Sequence, residues 1–297
     1  MPEVVEVRDY TEFINKHIKN KKLIEIKILG GRYKRHKPFE LYYELSKNLP
    51  LKIKNVKNKG KFMYIEFEKE YYLFVTLGLR GGWLYYHNHK YKFPIIIDYI
   101  PEEQIKKAAL NNLNVEFKFN DGSIFYYFDV RNFGTLKGVK GIEELNKKLN
   151  TIGPDIMDLK TTFLLFKERI QKKINLDKPI GNVIMNQKII SGIGNYLRAD
   201  ILWCAKINPF RKVKDLTDKE LYKIYHYSKV LTWGEYDKNK GIKLGIIKKT
   251  DKLPKDYGRD FFIYQCKEDI YNNPVSTDKL SEGSEDRTIF YVKQLQK

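Results

Sequence analysis

Pro2, Glu3 and Glu6 open the chain with residue types that can do covalent chemistry. An initiator methionine that precedes proline is usually removed, which leaves a free secondary amine at Pro2. A helical pattern begins directly behind it: Val4, Val5, Val7, Phe13, Ile14 and Ile18 recur at helical spacing, and proline suits a first turn. A helix N-terminus carries partial positive charge, which favours the neutral, nucleophilic form of an amine placed there. Glu6 lies one turn beyond Glu3 on the same face. An amine beside two carboxylates is suited to imine chemistry. The same six residues also make an ordinary helix start, since proline opens many helices and glutamate favours first turns. Read alone, that is the commoner case.

A second informative stretch runs from Ile184 to Leu202, where a short helix ends in Gly192-Ile193-Gly194 and another begins near Asn195. The glycines permit a tight turn and close approach of the backbone to another molecule. Asn195 can cap the new helix or donate to an oxygen, and the exposed helix N–H groups form a phosphate site. A plain helix hairpin with a glycine turn is the other reading. Charge favours the phosphate: 56 basic against 37 acidic residues give +19 and a pI near 9.5. Basic side chains that displace condensed counterions drive nucleic-acid association.

The elements that must position these residues fall into an all-β half and an all-α half. Behind the first helix, Ile24, Ile26 and Ile28 share a face, as do Met63, Ile65 and Phe67. So do Val115, Phe117 and Phe119, and then Ile124, Tyr126 and Phe128. Turn signals at 58–60 and 120–122 join short antiparallel strands into a β-sandwich or flattened barrel. Gly138, Gly141 and Gly153-Pro154-Asp155 punctuate a hinge. Helices follow at 142–150 and 161–175, and Thr217-Asp218-Lys219-Glu220 is a capping box opening one through about Leu231. Lys238–Asp256 reads as a lysine-rich loop. Phe261–Cys266 and Thr288–Val292 read as two strands joined by a polar turn holding Asn273-Pro274 and Gly283.

Cys204 and Cys266 are the two cysteines of the chain, and the five histidines make no ligand pattern, so no metal is expected. No apolar run reaches the ~18 residues needed to span a bilayer, and no basic-then-apolar leader opens the chain. A soluble, intracellular protein with no membrane partner is expected.

These motifs, in this order, resemble the formamidopyrimidine-DNA glycosylase and endonuclease VIII family of base-excision repair enzymes. The resemblance rests on the Pro-Glu start with Glu6, the Gly-Lys-Phe around Lys61, Leu77-Gly78-Leu79, and Asp129-Val130-Arg131-Asn132-Phe133-Gly134. It continues through Gly-Pro-Asp at 153, the Gly-Ile-Gly-Asn-Tyr-Leu-Arg-Ala run and Arg287-Thr288. The wording of that run is similar to the endonuclease VIII-like branch. Two departures stand out. Bacterial members close the last hairpin with four cysteines around zinc, which this chain lacks, so the resemblance implies the zincless form of the finger. Asp200 stands where the family often has glutamate.

The resemblance implies an N-terminal helix with an antiparallel β-sandwich (1–135, catalytic), a hinge (136–152), a helix-two-turn-helix DNA-binding domain (153–250) and a zincless finger (251–297). It implies a DNA glycosylase with AP lyase activity, removing oxidised pyrimidines and hydantoins by β,δ-elimination. The alternative is a non-catalytic helix-two-turn-helix DNA-binding relative. Pro2 would be the nucleophile, Glu3 the general acid and base, and Glu6 an assistant at the sugar. Lys61 would contact phosphate and assist elimination, while Asn195 and Arg287 would grip phosphates flanking the lesion. Leu79, Arg131 and Phe133 would fill the void left by the extruded nucleotide, and Lys243, Lys248 and Lys249 fall where the family carries a base-covering loop. A monomer acting on damaged DNA, duplex or single-stranded, without cofactor, completes the expectation.

Overall fold

A computed structural model describes residues 2–93, 102–251, 253, 257, 261–282 and 285–297. Met1 and Gly283 lie outside these. The chain divides into two compact units, one holding Pro2 and Glu6–Thr151, the other Glu3–Val5 and Ile152–Lys297. Helix α1 (Val4–Ile18) is shared between them by sequence.

The first unit runs β1 (Lys22–Ile28), α2 (Gly31–Arg35), α3 (Tyr42–Lys47), β2 (Leu51–Lys59), β3 (Phe62–Phe67), β4 (Tyr71–Thr76), β5 (Gly81–His87), β6 (Lys90–Lys92), α4 (Glu102–Leu110), β7 (Leu113–Phe119), β8 (Ile124–Asp129), β9 (Thr135–Lys140) and α5 (Ile142–Asn150). The nine strands form one antiparallel order, β6-β5-β8-β7-β1-β2-β3-β4-β9. Trp83 near one end and Leu73 and Leu136 near the other share a single core with Val7, Tyr10, Ile14 and Ile18 of α1. The sheet therefore folds over the apolar face of the helix. Each such aliphatic side chain, fully buried, contributes about 1.5–3 kcal/mol.

Three expectations change here. In β1 the buried residues are Leu23 and Ile26, while Ile24 is 42% exposed. The cause is a bulge: Leu23 faces Phe119 and Glu25 faces Lys118, so Ile24 is an extra residue and the alternation slips. In β8 the core-facing side chains are Phe125 and Tyr127; Tyr126 and Phe128 turn to a smaller cluster around Leu84 and Ala109. Residues 136–152, read as a hinge, carry most of β9, paired with β4 along its length, and helix α5.

The second unit contains α6 (Phe163–Ile170), α7 (Ile180–Val183), α8 (Asn195–Ala205), α9 (Asp218–Lys243), β10 (Ser276–Glu282) and β11 (Glu285–Tyr291). Nine of the eleven residues of α8 are buried, as expected of a central helix that is apolar on most sides. The capping box of α9 forms: Thr217 accepts from the Glu220 amide and Glu220 from the Thr217 amide. That helix continues past Leu231. It breaks at Asp237, whose carboxylate accepts from Lys240 N at 2.9 Å and restarts the helix as a cap. The first finger strand is Ser276–Glu282 rather than Phe261–Cys266, and β10 pairs with β11 so that Leu280 faces Arg287. Among the described residues no helix is long and apolar enough to cross a membrane.

Candidate reaction centre and nucleic-acid interface

In the second unit the Gly192-Ile193-Gly194 turn is braced by Gln187. Its amide donates to the carbonyls of Met185 and Ile193 at 2.6 and 2.8 Å, and its oxygen accepts from Gly192 N at 2.9 Å. Residues 184–191 are not helical, and Ser191 bridges to Asp155. Gly192 sits at φ +112, where an added Cβ would meet Val4 and Ile156. Val4 N in turn donates to Gly192 O at 3.2 Å, which ties the start of α1 to the turn.

That tie delivers Glu3, which is 1% exposed. Its carboxylate accepts from Gly194 N at 2.5 Å and from Tyr196 N at 3.0 Å. The helix N-terminus read from sequence as a phosphate site therefore takes an anion, and the anion is the chain's own glutamate. Gly194 has to be glycine here, because a Cβ would fall on the Glu3 carboxyl group. Pro2, half-buried, is the next residue toward the N-terminus.

Asn195 does not cap α8; Gly194 occupies that position, and the side chain that accepts from the first amides is that of Glu3. Instead Asn195 Nδ2 donates to Thr288 O at 3.1 Å and its oxygen accepts from Arg198, which also donates to Thr288 O at 3.2 Å. Asn195 and Arg287 are thus brought to one locus, since Thr288 follows Arg287 on β11. Asp200, one turn along α8 from Tyr196, accepts from Phe262 N and Ile263 N, each at 3.0 Å, and from the Tyr257 hydroxyl at 3.2 Å. Those amides serve Asp200 instead of a strand ladder, so the shorter acid is fully engaged. Burial pushes its carboxyl up to about 6, against the lowering effect of these donors.

The first unit carries the other predicted residues. Lys61 is half-buried at the tip of the β2–β3 hairpin, where Lys59 pairs with Phe62 and Gly60 adopts φ +55. Leu79, half-buried, follows Gly78, where an added Cβ would meet the backbone of Phe133 and Gly134, so the Leu79 loop abuts the Arg131–Phe133 loop. Phe133 is 61% exposed, with the Arg131 guanidinium 6.0 Å over its ring. Buried Asp129 shapes that loop, accepting from Arg131 N at 3.0 Å and Gly134 N at 2.6 Å. Asn132 takes a left-handed φ of +56 and accepts from Arg32 N. Glu6 is half-buried on α1, and Asp9, one turn further, has its carboxyl pushed up to about 7 by burial and then by Glu12 and Glu6. Lys243 closes α9, and Lys248 and Lys249 follow it, Lys248 N donating to Asp251 at 2.8 Å.

Sequence reasoning missed Gln187 and the role of Asp129. Gln187 bonds Met185 O, Ile193 O and Gly192 N, and Asp129 bonds Arg131 N and Gly134 N, within loops that no helix or strand periodicity marks. Zinc does not fit the finger: residues 251–297 contain Cys266 alone. Among the described residues no three of His, Cys, Asp or Glu cluster as a metal set.

Residues 1–136 match the family model described as the formamidopyrimidine-DNA glycosylase N-terminal domain, and residues 152–238 match that of the formamidopyrimidine-DNA glycosylase H2TH domain. A Bacillus cereus formamidopyrimidine-DNA glycosylase is 29% identical over 243 residues, covering 81% of this chain and 79% of the relative. The Mycoplasma genitalium formamidopyrimidine-DNA glycosylase is 30% identical over 222 residues, covering 74% and 70%. A solved complex between the Lactococcus lactis protein and DNA containing an abasic site shares the fold at a TM-score of 0.70, with 21% identity and full coverage of both chains. MutM in complex with DNA containing carbocyclic 8-oxo-G does so at 0.72, with 22% identity and full coverage of both chains.

Proposed function

The chain belongs to the formamidopyrimidine-DNA glycosylase family, and on that premise we propose that it excises oxidised bases from DNA and then cleaves the abasic site through an imine on Pro2. The observation that carries this reading is the Glu3 carboxylate seated on the Gly194 and Tyr196 amides, immediately next to the residue that would bear the amine.

The Pro2 nitrogen attacks C1′ of the damaged nucleotide and the glycosidic bond breaks, the base leaving with a proton. Glu3, as general acid and base, moves the protons that open the sugar ring, with Glu6 assisting. The resulting iminium acidifies the C2′ proton; its removal expels the 3′ phosphate, and a second elimination expels the 5′ phosphate, leaving a one-nucleotide gap. Lys61 and Arg287 contact the phosphates that leave, and Asn195 holds a flanking phosphate. Arg287 has the planar fork suited to that contact. Extruding the nucleotide costs a few kcal/mol, roughly, in lost stacking. Leu79 and Phe133 wedge the gap while Arg131 meets the orphaned base. Oxidised pyrimidines and hydantoins are the proposed lesions, in keeping with the endonuclease VIII-like wording of residues 192–199. The protein works as a monomer and takes no cofactor.

Borohydride trapping on duplex DNA with an abasic site tests the reading. A covalent adduct that maps to Pro2, and disappears when Met1 is retained, is expected. An adduct on a lysine, or none from correctly processed protein, sinks it; the latter is what a non-catalytic relative would give. Binding is also expected to fall with salt at a log-log slope of about −0.9 per phosphate neutralised.

A further inference from the structure

We propose that Asp269 is a positioning residue that does for the Arg287 hairpin what a structural metal does in four-cysteine fingers: it ties the root of the hairpin into one fixed knot. The part assigned to Arg287 rests on the glycosylase reading; the knot itself does not.

The loop from Lys267 to Val275 closes on itself. Val275 N donates to Lys267 O at 2.9 Å, Asp269 N donates to Asn273 O at 2.9 Å, and Glu268 and Pro274 form a bridge. At its centre the Asp269 carboxylate, 4% exposed, collects donors from three directions. Oδ1 accepts from Tyr271 N and Asn273 N, each at 2.9 Å, and from Asn273 Nδ2 at 3.1 Å. Oδ2 accepts from Asn273 Nδ2 at 3.1 Å and from Trp203 Nε1 at 3.0 Å.

The last donor matters most, because Trp203 belongs to α8. Its ring stacks on Phe262 at 4.6 Å and on Tyr271 at 5.9 Å. Both ends of the knotted loop are therefore fixed. Upstream, Asp200 holds the amides of Phe262 and Ile263. Downstream, β10 begins at Ser276, directly after Val275, and its Leu280 pairs with Arg287. Leu280, Ile289 and Tyr291 then cluster with Phe210.

A tetrahedral metal fixes such a root by binding ligands from separate segments at once. A buried carboxylate with N–H donors from separate segments meets the same geometric demand, and charge-assisted bonds of this kind are the strong ones. Burial works against the charge, but the bonds from Asn273, Tyr271 and Trp203 hold the Asp269 carboxyl below the usual range. The knot is thus ionised at neutral pH.

The test uses the full chain, with and without chelators, and the variants Asp269→Ala, Asp269→Asn and Trp203→Phe. Two quantities are read: the Trp203 indole N–H resonance, assigned by its absence in Trp203→Phe, and the Kd for duplex DNA carrying an uncleavable abasic analogue. Chelation is expected to move neither. Asp269→Ala is expected to shift the resonance and weaken binding about tenfold, the scale of a single charged hydrogen bond. It should also lower the salt slope by about one phosphate's worth. Asp269→Asn keeps an acceptor for the loop amides and is expected to recover part of the affinity. If Asp269→Ala does not fold, Trp203→Phe, which removes a single donor, is expected to weaken binding by a smaller factor. Loss of binding on chelation overturns the proposal, as does an unchanged Kd in Asp269→Ala or, where that variant is unfolded, in Trp203→Phe. A parent protein that ignores abasic DNA yet keeps its chelator-resistant indole resonance overturns the glycosylase reading instead.

Discussion

Gly194→Ala is a substitution whose effect can be worked from distances alone. The residue lies at φ −122, outside the left-handed region that favours glycine, so the effect of a methyl group there lies in what it meets. It does fall on the carboxyl group of Glu3. The buried Glu3 carboxylate accepts from two backbone amides, at 2.5 and 3.0 Å. Such bonds contribute about 1.5–3 kcal/mol each, so the anchoring lost is about 3–6 kcal/mol. The ideal methyl position lies 2.3 Å from both Glu3 Cδ and Oε1, so the carboxyl group must shift from its seat. A positioned general acid–base contributes about 10²–10⁴-fold in rate, and the single-turnover excision rate is expected to drop by that factor. DNA affinity, measured by anisotropy, should stay within about threefold, since Asn195 and Arg287 are untouched. Gly122→Ala is the control: at φ +82 it costs backbone strain, but its Cβ meets no atom within 4 Å. A folded Gly194→Ala protein that excises within threefold of the parent would refute the seat of Glu3 as the basis of its chemistry.

Other outcomes follow from neighbouring groups. Asp200 has its carboxyl raised from 3.8 to about 6 by burial, so between those values the folded chain binds a proton the unfolded chain has released. Its ionisation therefore costs stability as pH rises through that window, reaching about 3 kcal/mol above pH 6. The melting temperature of the parent should gain more than that of Asp200→Asn between pH 7 and pH 4.5; equal slopes would contradict the assignment. Asp9→Asn should likewise flatten the pH dependence around its raised value of about 7. Asp129→Ala removes the acceptor of the Arg131 and Gly134 amides, at 3.0 and 2.6 Å, and should lower excision about tenfold by letting the wedge loop wander. A 2-aminopurine reporter opposite Arg131 that unstacks normally in that variant would speak against it.

Much of the frame was legible because it is written in local periodicity. The 3.6-residue pattern behind Pro2 is α1, Gly60 and Gly122 mark true hairpin turns, and the capping box at Thr217 opens α9. What was not legible depends on partners remote in sequence. A bulge at Ile24 inverts the alternation of β1, and nothing in Lys22–Ile28 announces it, since the slip is defined only against β7. The glycine hairpin was readable as an anion site, but its occupant lies 191 residues away. Phe261–Cys266 looks like a strand by composition, yet Asp200 takes the amides a ladder would need. Asn195 was singled out as a phosphate contact, and its bond to Thr288 O could not be foreseen from its place at a helix start.

Tyr196, Asp200 and Trp203 stand at i, i+4 and i+7 on α8, one above the next along a single face. Tyr196 meets Glu3 through its backbone amide, while the side chains of Asp200 and Trp203 hold the Phe262 and Ile263 amides and the Asp269 knot. Helix α8 thus works as a ruler with three marks. Each inserted residue turns everything beyond it by about 100° and advances it about 1.5 Å, so one added residue would misalign every later mark together. Point changes can be compensated mark by mark; a change of length cannot. Insertions and deletions should be tolerated in the loops around α8 long before any is tolerated between Asn195 and Ala205.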